Sequence, residues 1–179
     1  MGDGPAQYVR PGVAADAAQM GVWQGASWRE TLRRADAGTD WSAAVPDGTL
    51  AGAWESALAQ PPSPRRGILV AEENGTPVGF VAYAPGVADP SPLGDHPVEI
   101  LALEVAPEAQ RRGHASRLLA AVVDTVRPDD ATSLYVWEVP SAQARLRFWQ
   151  ALGFGPAGRR RELELPDGRL DQHLWHAAL

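Results

Sequence analysis

The stretch LALEVAPEAQRRGHASRLL, residues 101–119, contains the strand, turn and helix on which the interpretation of the whole chain depends. Its first residues close a mostly apolar run of the kind found in buried strands. Pro107 interrupts that run, and Gly113 lies in an arginine-rich turn. Apolar residues then recur at helical spacing from Leu118 to Val126. The pattern predicts a strand, a tight turn, and an amphipathic helix beginning near residues 112–114.

The first turn of this helix carries arginine where Asp, Glu or Ser is usual. The first N–H groups of a helix have no intrahelical partner, and the helix dipole adds partial positive charge. Such an end binds anions, and Gly113 has no Cβ to keep a ligand at a distance. A phosphate-bearing ligand at residues 111–116 is therefore the favoured interpretation. A glycine-containing turn with exposed arginines is the alternative.

Outward from this stretch, the hydrophobic pattern predicts strands alternating with helices. A strand is expected at residues 7–12, a helix over 14–32 and a second helix starting near residue 48. Asn74-Gly75 lies between two apolar runs and predicts a hairpin. The predicted order is β-α-α-β-β-β-α-β-α-β-β, with a Pro-Asp-Gly turn between the last two strands. This order is typical of a mixed α/β sheet covered by helices, here one domain spanning residues 1–179.

The composition excludes several classes of function. The chain has 179 residues, a net charge of −6 and no cysteine, so disulfides and thiolate metal sites are ruled out. The acidic balance argues against nucleic-acid binding, and the four scattered histidines predict no metal site. All sixteen basic residues are arginine, which a GC-rich bacterial genome explains better than phosphate recognition. Without an apolar run of about 18 residues or a secretory signal, we expect a cytoplasmic protein that binds no membrane.

Two motifs near the C-terminus are predicted not to bind ligands. GFGPAG, residues 153–158, matches a dinucleotide fingerprint but follows a helix and precedes a strand, so a turn is expected. The RRR run at residues 159–161 is expected to be a solvated strand end.

QRRGHA, residues 110–115, resembles the Q/R-x-x-G-x-G/A signature of the GNAT superfamily of acetyl-CoA-dependent N-acetyltransferases. The resemblance continues in WEVPSAQARLRFWQALGF, residues 137–154, which is similar to the second conserved block of that family. The order of elements also agrees, so nearly the whole chain is covered. The resemblance implies a GNAT-like mixed, largely antiparallel sheet of six to seven strands, with helices on both faces and a splayed central strand pair.

The resemblance also implies acetyl-CoA as cosubstrate. Backbone N–H groups of residues 111–116 would cradle the pyrophosphate, and the end of the preceding strand would pair with the pantetheine amides. The N–H group of Val105 would orient the acetyl carbonyl. The residues assigned to the cosubstrate are Leu103, Glu104, Val105, Gln110, Arg111, Arg112, Gly113, His114, Ala115, Ser116, Phe148 and Trp149.

Acetyl transfer requires a neutral amine, which a general base provides. Glu99 lies eleven residues before Gln110, at the position of the general-base glutamate in the histone-acetylating branch of the family. A salt-bridged strand residue is the alternative. Glu104 is the next candidate, but its odd spacing from Glu99 predicts the opposite sheet face.

The second block departs from the family pattern at three positions. Ala142 stands where the family has Asn, Arg145 where it has a small residue, and Trp149 where it has the Tyr that protonates the thiolate. An indole N–H is not a practical proton donor. Either catalysis is weak, or the proton comes from solvent, Tyr135, Ser141 or Glu138.

The acceptor is predicted to be a primary amine of a small molecule or peptide. Four tryptophans lie in or near the first two helices, and we expect at least two of them to pack in the core: Trp23, Trp28, Trp41 and Trp54. The residues predicted to contact the acceptor are Trp23, Trp28, Glu99 and Trp137. A homodimer is possible. The alternatives are a non-catalytic acyl-CoA-binding sensor or partner protein, and a protein that binds another phosphate ligand.

Overall fold

A computed structural model of the chain describes residues 6–35, 48–60, 63, 65–87, 92–165 and 168–179. Trp41 and the Pro-Asp pair of the C-terminal turn lie outside the described residues. None of the helices within these ranges is long and apolar enough to cross a membrane.

The described residues follow the predicted order of strands and helices. The elements are β1 (Gln7–Pro11), α1 (Ala17–Arg34), α2 (Thr49–Leu58), β2 (Gly67–Glu73), β3 (Thr76–Pro85), β4 (Pro97–Val105), α3 (His114–Val126), β5 (Ser133–Glu138), α4 (Gln143–Ala151), β6 (Gly155–Leu165) and β7 (Gly168–Ala178).

The seven strands form one sheet in the order β1-β2-β3-β4-β5-β7-β6. β4 and β5 run parallel, and every other neighbouring pair is antiparallel. On one face, Trp23 of α1 stacks on Phe80 of β3 at 6.4 Å between ring centroids, and Trp54 of α2 meets the same ring edge-on at 5.1 Å. Trp23 and Trp54 are therefore packing residues, as expected for at least two of the tryptophans.

The amphipathic helix α3 covers the other face of the sheet. Its buried apolar residues are Leu118, Leu119, Val122 and Val126. Each such side chain contributes about 1.5 to 3 kcal/mol when it is removed from water. The prediction of a mixed, largely antiparallel sheet with helices on both faces is confirmed.

The parallel pairing of β4 with β5 is short. Only three residue pairs match, the last being Glu99 with Tyr135. Beyond this pair, β4 remains paired with β3 as far as Val105, and β5 remains paired with β7 as far as Glu138. The two strands diverge and leave an opening at the centre of the sheet, which confirms the predicted splayed pair.

A β-bulge at Leu101 changes the phase of side-chain alternation along β4. The pairing with β3 passes over Leu101, so that Glu99 lies opposite Ala84 and Glu104 lies opposite Phe80. Phe80 and Ala84 are four residues apart and point to the same face. An extra residue in one strand has this effect wherever it occurs. Glu99 and Glu104 therefore share the face covered by α1, and the prediction of opposite faces is wrong.

One arginine joins β1, β2 and the start of α1. The Arg10 guanidinium donates to both carboxylate oxygens of Asp16, at 2.7 and 2.9 Å, and through Nε to Glu72 at 2.6 Å. The same Asp16 carboxylate accepts the Val13 N–H at 2.9 Å, and its residue is only 5% exposed. The hydrogen bonds from Arg10 lower the pKa of Asp16, against the opposing effect of burial.

We expect Asp16→Asn to lower the free energy of unfolding by about 3 kcal/mol near neutral pH, because it removes one partner of a buried ion pair. The pKa of Asp16 is lowered in the folded state, so this stabilisation is complete above the unfolded-state pKa. It is lost as the pH falls through the folded-state pKa. Urea unfolding at about pH 7 and about pH 3 measures the difference.

Glu30→Gln is the matched control for this experiment. Glu30 pairs with Arg33 and Arg34 on the exposed face of α1, where solvent screens the charges, so its loss should leave the free energy of unfolding nearly unchanged. An equal loss for Asp16→Asn at both pH values would contradict the assignment of the effect to the Asp16 charge.

Candidate active site

The turn between β4 and α3 contains two left-handed residues, as anion-binding nests do. Gly113 is the N-cap of α3, with φ 84° and ψ 4°, and Arg111 also has a left-handed backbone, with φ 63°. Such successions of conformations gather N–H groups in a concave surface. A Cβ added to Gly113 would meet only Arg117, at 4.0 Å. The turn therefore has both the N–H groups and the open space that a phosphate group needs.

The side chains of this turn hold the helix start against β1 and β2. Arg112 pairs with Glu73 at 2.5 Å, and Arg117 donates to Gln7 at 2.6 Å. His114 is fully buried with Nε2 at 3.8 Å from Glu73, and burial lowers its pKa. His114 thus offers only its backbone to a ligand, whereas the side chains of Arg111 and Ser116 are exposed and Ala115 is half-buried.

The edge of β4 directs backbone polar groups into the opening. The carbonyl oxygen of Leu103 accepts from Arg145 Nη1 at 3.3 Å, and that of Val105 accepts from the Gln110 side chain at 3.2 Å. The N–H and C=O groups of one strand residue point the same way. The N–H groups of Leu103 and Val105 therefore also face the opening, where an extended ligand could pair with them.

Arg145 passes through the opening from one face of the sheet to the other. Its Nε donates to Glu138 at 2.8 Å, and its Nη1 lies 3.5 Å from the carboxylate of Glu104. Side chains alternate along β5, so Glu138 points to the opposite face from Tyr135 and Glu99, whereas Glu104 shares the face of Glu99 that α1 covers. A small residue at this position could make neither contact, so the departure from the family pattern at Arg145 changes the opening itself.

Trp149 belongs to the core in this structure. It is 1% exposed, its ring lies between Phe148 and Phe154, and its N–H donates to Glu138 at 2.6 Å. Its donor group is thus already used inside the protein. Phe148 is partly buried against the core. The cosubstrate contacts predicted for Phe148 and Trp149 stay predictions.

The other groups considered as proton donors to the thiolate either form hydrogen bonds within the protein or are buried. Tyr135 donates its hydroxyl to Glu99 at 2.9 Å, and burial followed by the Glu99 charge raises its pKa. Glu138 accepts hydrogen bonds from both Arg145 and Trp149. The hydroxyl of Ser141 is buried without a hydrogen-bond partner.

A cleft between α1 and the β4–β5 opening brings most of the predicted acceptor residues together. We call it the inner cleft, and its main lining residues are Ser27, Trp28, Glu99, Glu104, Trp137 and Arg161. Trp28 is 40% exposed, whereas Trp23, predicted to contact the acceptor, is 8% exposed and packs on Phe80. Trp23 is thus mainly a core residue. Among the described residues, no group of three or more His, Asp or Glu could hold a metal ion.

Arg161 was missed as a site residue. Its guanidinium lies 4.5 Å from the centre of the Trp137 ring and 3.9 Å from the Glu99 carboxylate. Arg161 is exposed, as expected for the RRR run, but it lies within β6 rather than at a strand end and contacts two residues of the inner cleft. The pairing of β6 with β7 sets Arg161 beside Gln172 on the face of the inner cleft, and the RRR run alone does not reveal which of its members turns inward.

A second cavity adjoins the inner cleft at the end of β4. We call it the outer cavity, and it is lined by Val22, Trp23, Glu104, Val105, Gln110 and Arg145 among others. Glu104 and Arg145 border both spaces. Burial raises the pKa of Glu104, while Arg145 and a hydrogen bond from Ser27 oppose that rise.

Residues 39–154 match the sequence model of the acetyltransferase (GNAT) family. The chain belongs to this family of acetyl-transfer enzymes. No curated protein sequence matches the chain.

Solved structures with the same fold share low sequence identity with the chain. The ribosomal-protein-alanine N-acetyltransferase from Brucella melitensis is 21% identical, with a TM-score of 0.70 over 96% of this chain and 99% of that one. The structure of yncA from Salmonella typhimurium with its cofactor acetyl-CoA is 20% identical, with a TM-score of 0.65 over 97% and 94%. PaiA N-acetyltransferase from Thermoplasma acidophilum, in complex with coenzyme A, is 14% identical, with a TM-score of 0.64 over 97% and 99%.

We expect Gly113→Ala to weaken CoA binding by about tenfold or more, equivalent to about 1.4 kcal/mol. The added Cβ would project into the open space over the turn. Titration with CoA, followed by thermal unfolding, measures the change.

Gly48→Ala controls for the backbone cost of this substitution. Gly48 is the N-cap of α2 with φ 92°, and a Cβ there meets nothing within 4 Å. Both variants carry the same left-handed strain, but only Gly113→Ala should lose affinity for CoA. Equal affinity in the two variants would remove the turn from the binding site.

Proposed function

We propose that this protein transfers an acetyl group from acetyl-CoA to a primary amine of a small molecule or peptide, by direct attack within a ternary complex. Membership of the acetyltransferase family supports acetyl transfer in general. The observation that carries the proposal is the opening between β4 and β5, because its rim leads directly into the nest at Arg111 and Gly113. We expect one catalytic domain in a bacterial, cytoplasmic protein, and a homodimer is possible.

Acetyl-CoA fits the groups that these two features present. The turn N–H groups would hold the pyrophosphate, and the edge of β4 would pair with the pantetheine amides. The acetyl thioester supplies the activated acyl carbon, and the Val105 N–H would donate to its carbonyl oxygen. Where the pantetheine pairs at Leu103, the Arg145 guanidinium has to release that carbonyl.

The inner cleft supports an amine as the acceptor. Its carboxylates attract an ammonium group, and its tryptophan rings provide flat surfaces on which cations and apolar groups pack. The Arg161 guanidinium packs on the Trp137 ring in a cation–π contact of this kind. We propose that Glu99 and Trp28 bind the acceptor from opposite walls of the cleft.

The family resemblance also assigns proton acceptance to Glu99. Its carboxylate borders the inner cleft, accepts the hydroxyl of Tyr135 and lies 3.9 Å from Arg161. It could receive a proton from the amine directly or through water. This role stays a prediction, and Glu99→Gln tests it.

A non-catalytic acyl-CoA-binding protein is the second candidate. Two observations favour it: Arg145 fills part of the opening, and Trp149 replaces the usual proton donor with its N–H already bound. Such a protein would be stabilised by acetyl-CoA and would release no thiol with any amine.

Thiol release from acetyl-CoA over a panel of amines tests the first proposal. For an amine that reacts, Trp28→Ala should raise KM by about tenfold, or about 1.4 kcal/mol, the size of a cation–π or stacking contact. Its effect on kcat should be smaller. Tyr8→Ala is the matched control, since Tyr8 is an exposed aromatic residue of β1 outside the cleft. Stabilisation by acetyl-CoA without turnover for any amine would support the second candidate instead.

A further inference from the structure

We propose that Glu104 is the group that accepts the proton from the attacking amine. This inference rests on the proposed function and names a catalytic residue for it. Glu104 borders both the inner cleft, where the amine is proposed to bind, and the outer cavity beside Val105. The bulge at Leu101 turns its side chain toward the cleft.

The contacts of Arg145 locate the Glu104 carboxylate at the rim of the opening. One guanidinium nitrogen, Nη1, lies 3.3 Å from the Leu103 carbonyl oxygen and 3.5 Å from the carboxylate of Glu104. The carboxylate and the edge of β4 therefore face the same atom. Glu104 is also the chain neighbour of Val105, whose N–H group is proposed to hold the acetyl carbonyl.

Glu99 lies farther from Val105 along β4 than Glu104 does. Val105 is six positions after Glu99, which corresponds to about 17 Å of extended strand when the bulged residue is left out. Glu99 also accepts the hydroxyl of Tyr135 at 2.9 Å. If Val105 holds the carbonyl, Glu99 is suited to binding the distal part of the acceptor, and Glu104 to receiving the proton.

The surroundings of Glu104 adjust its basicity. Arg145 approaches from α4, Glu138 acts from β5 and Ser27 donates from α1. Burial is the largest influence and raises the pKa of Glu104, with the Glu138 charge acting in the same direction. A carboxylate whose pKa moves toward neutrality is a better match for general-base catalysis. The other charged residues around the outer cavity are Glu30, Arg34 and Glu108.

The proposed step balances without an additional reactant. The nitrogen lone pair of the neutral amine attacks the thioester carbonyl carbon and forms the C–N bond. The nitrogen gives its surplus proton to the Glu104 carboxylate. The C–S bond then breaks with its electron pair on sulfur, and the CoA thiolate takes the proton from Glu104. The products are the amide and free CoA, and Glu104 is again ionised.

The test compares Glu104→Gln with Glu99→Gln in the full chain. For an amine that the wild type acetylates, Glu104→Gln should lower kcat by about 10² to 10⁴, the contribution of a general base. The wild-type kcat, measured at saturating amine, should fall as the pH is lowered and Glu104 becomes protonated. In Glu104→Gln this acidic limb of the plot of kcat against pH should be absent. Glu99→Gln should keep the acidic limb and raise KM for the amine.

Two controls test whether the loss of activity in Glu104→Gln comes from the chemical step rather than from lost cosubstrate binding or from the removal of any carboxylate. Stabilisation by CoA should persist in Glu104→Gln, because its turn and β4 backbone are unchanged. Glu162→Gln removes an exposed carboxylate of β6 that pairs with Arg169, and it should leave kcat and the pH profile at wild-type values.

Ser27→Ala provides an independent measurement should Glu104→Gln fold poorly. Loss of the Ser27 hydrogen bond destabilises the ionised carboxylate, so the acidic limb should move to higher pH. A role of Ser27 in packing alone would leave the limb in place.

The outcomes separate this inference from the proposed function. A limb that persists in Glu104→Gln and disappears in Glu99→Gln would overturn the assignment and leave acetyl transfer intact. A wild-type protein that acetylates no amine would overturn both.

Discussion

The site depends on the early end of hydrogen bonding between two parallel strands. Past Glu99 and Tyr135, β4 keeps its partner on one side only, so one edge of a central strand is exposed inside the protein. Unpaired backbone groups in such a place are costly unless another group satisfies them. Side chains of Arg145 and Gln110 do so here, at Leu103 and Val105. A ligand with amide groups could take over the same role, which is why we propose the opening as the cosubstrate site.

Charge balance follows from that opening. Glu138 would be an isolated buried carboxylate without the bonds from Arg145 and Trp149, and isolated buried charges are strongly unfavourable. The same arginine comes within 3.5 Å of Glu104, on the other face of the sheet, because the two strands have separated. The electrostatics of the cleft and the stability of α4 are therefore linked through one side chain. The tryptophan that replaces the family's tyrosine is part of this arrangement.

Local signals in the sequence were sufficient for most of the fold. Asn74 and Gly75 both adopt left-handed backbones, with φ of 52° and 78°, as the hairpin between β2 and β3 requires. The turn at Gly113 was also predicted from the sequence, because an apolar strand pattern, a glycine and a helical pattern follow one another there. What the sequence did not reveal depends on register. Whether Arg161 turns inward, or Glu104 shares a face with Glu99, is decided by strands distant in the chain. Strict alternation was the wrong assumption at Leu101.

The bulge at Leu101 also affects how this strand is compared with its relatives. Side chains point alternately to the two faces of the sheet both before and after Leu101, but the order of faces is reversed at the bulge. A gapless alignment with an unbulged strand would match core positions to cleft positions on one side of Leu101. Functional assignments copied across such an alignment would name the wrong glutamate while the sequences still appeared well matched. Among distant members of the family, the number of residues between the last β4–β5 pair and the signature turn is therefore more informative than the identity at any single alignment column.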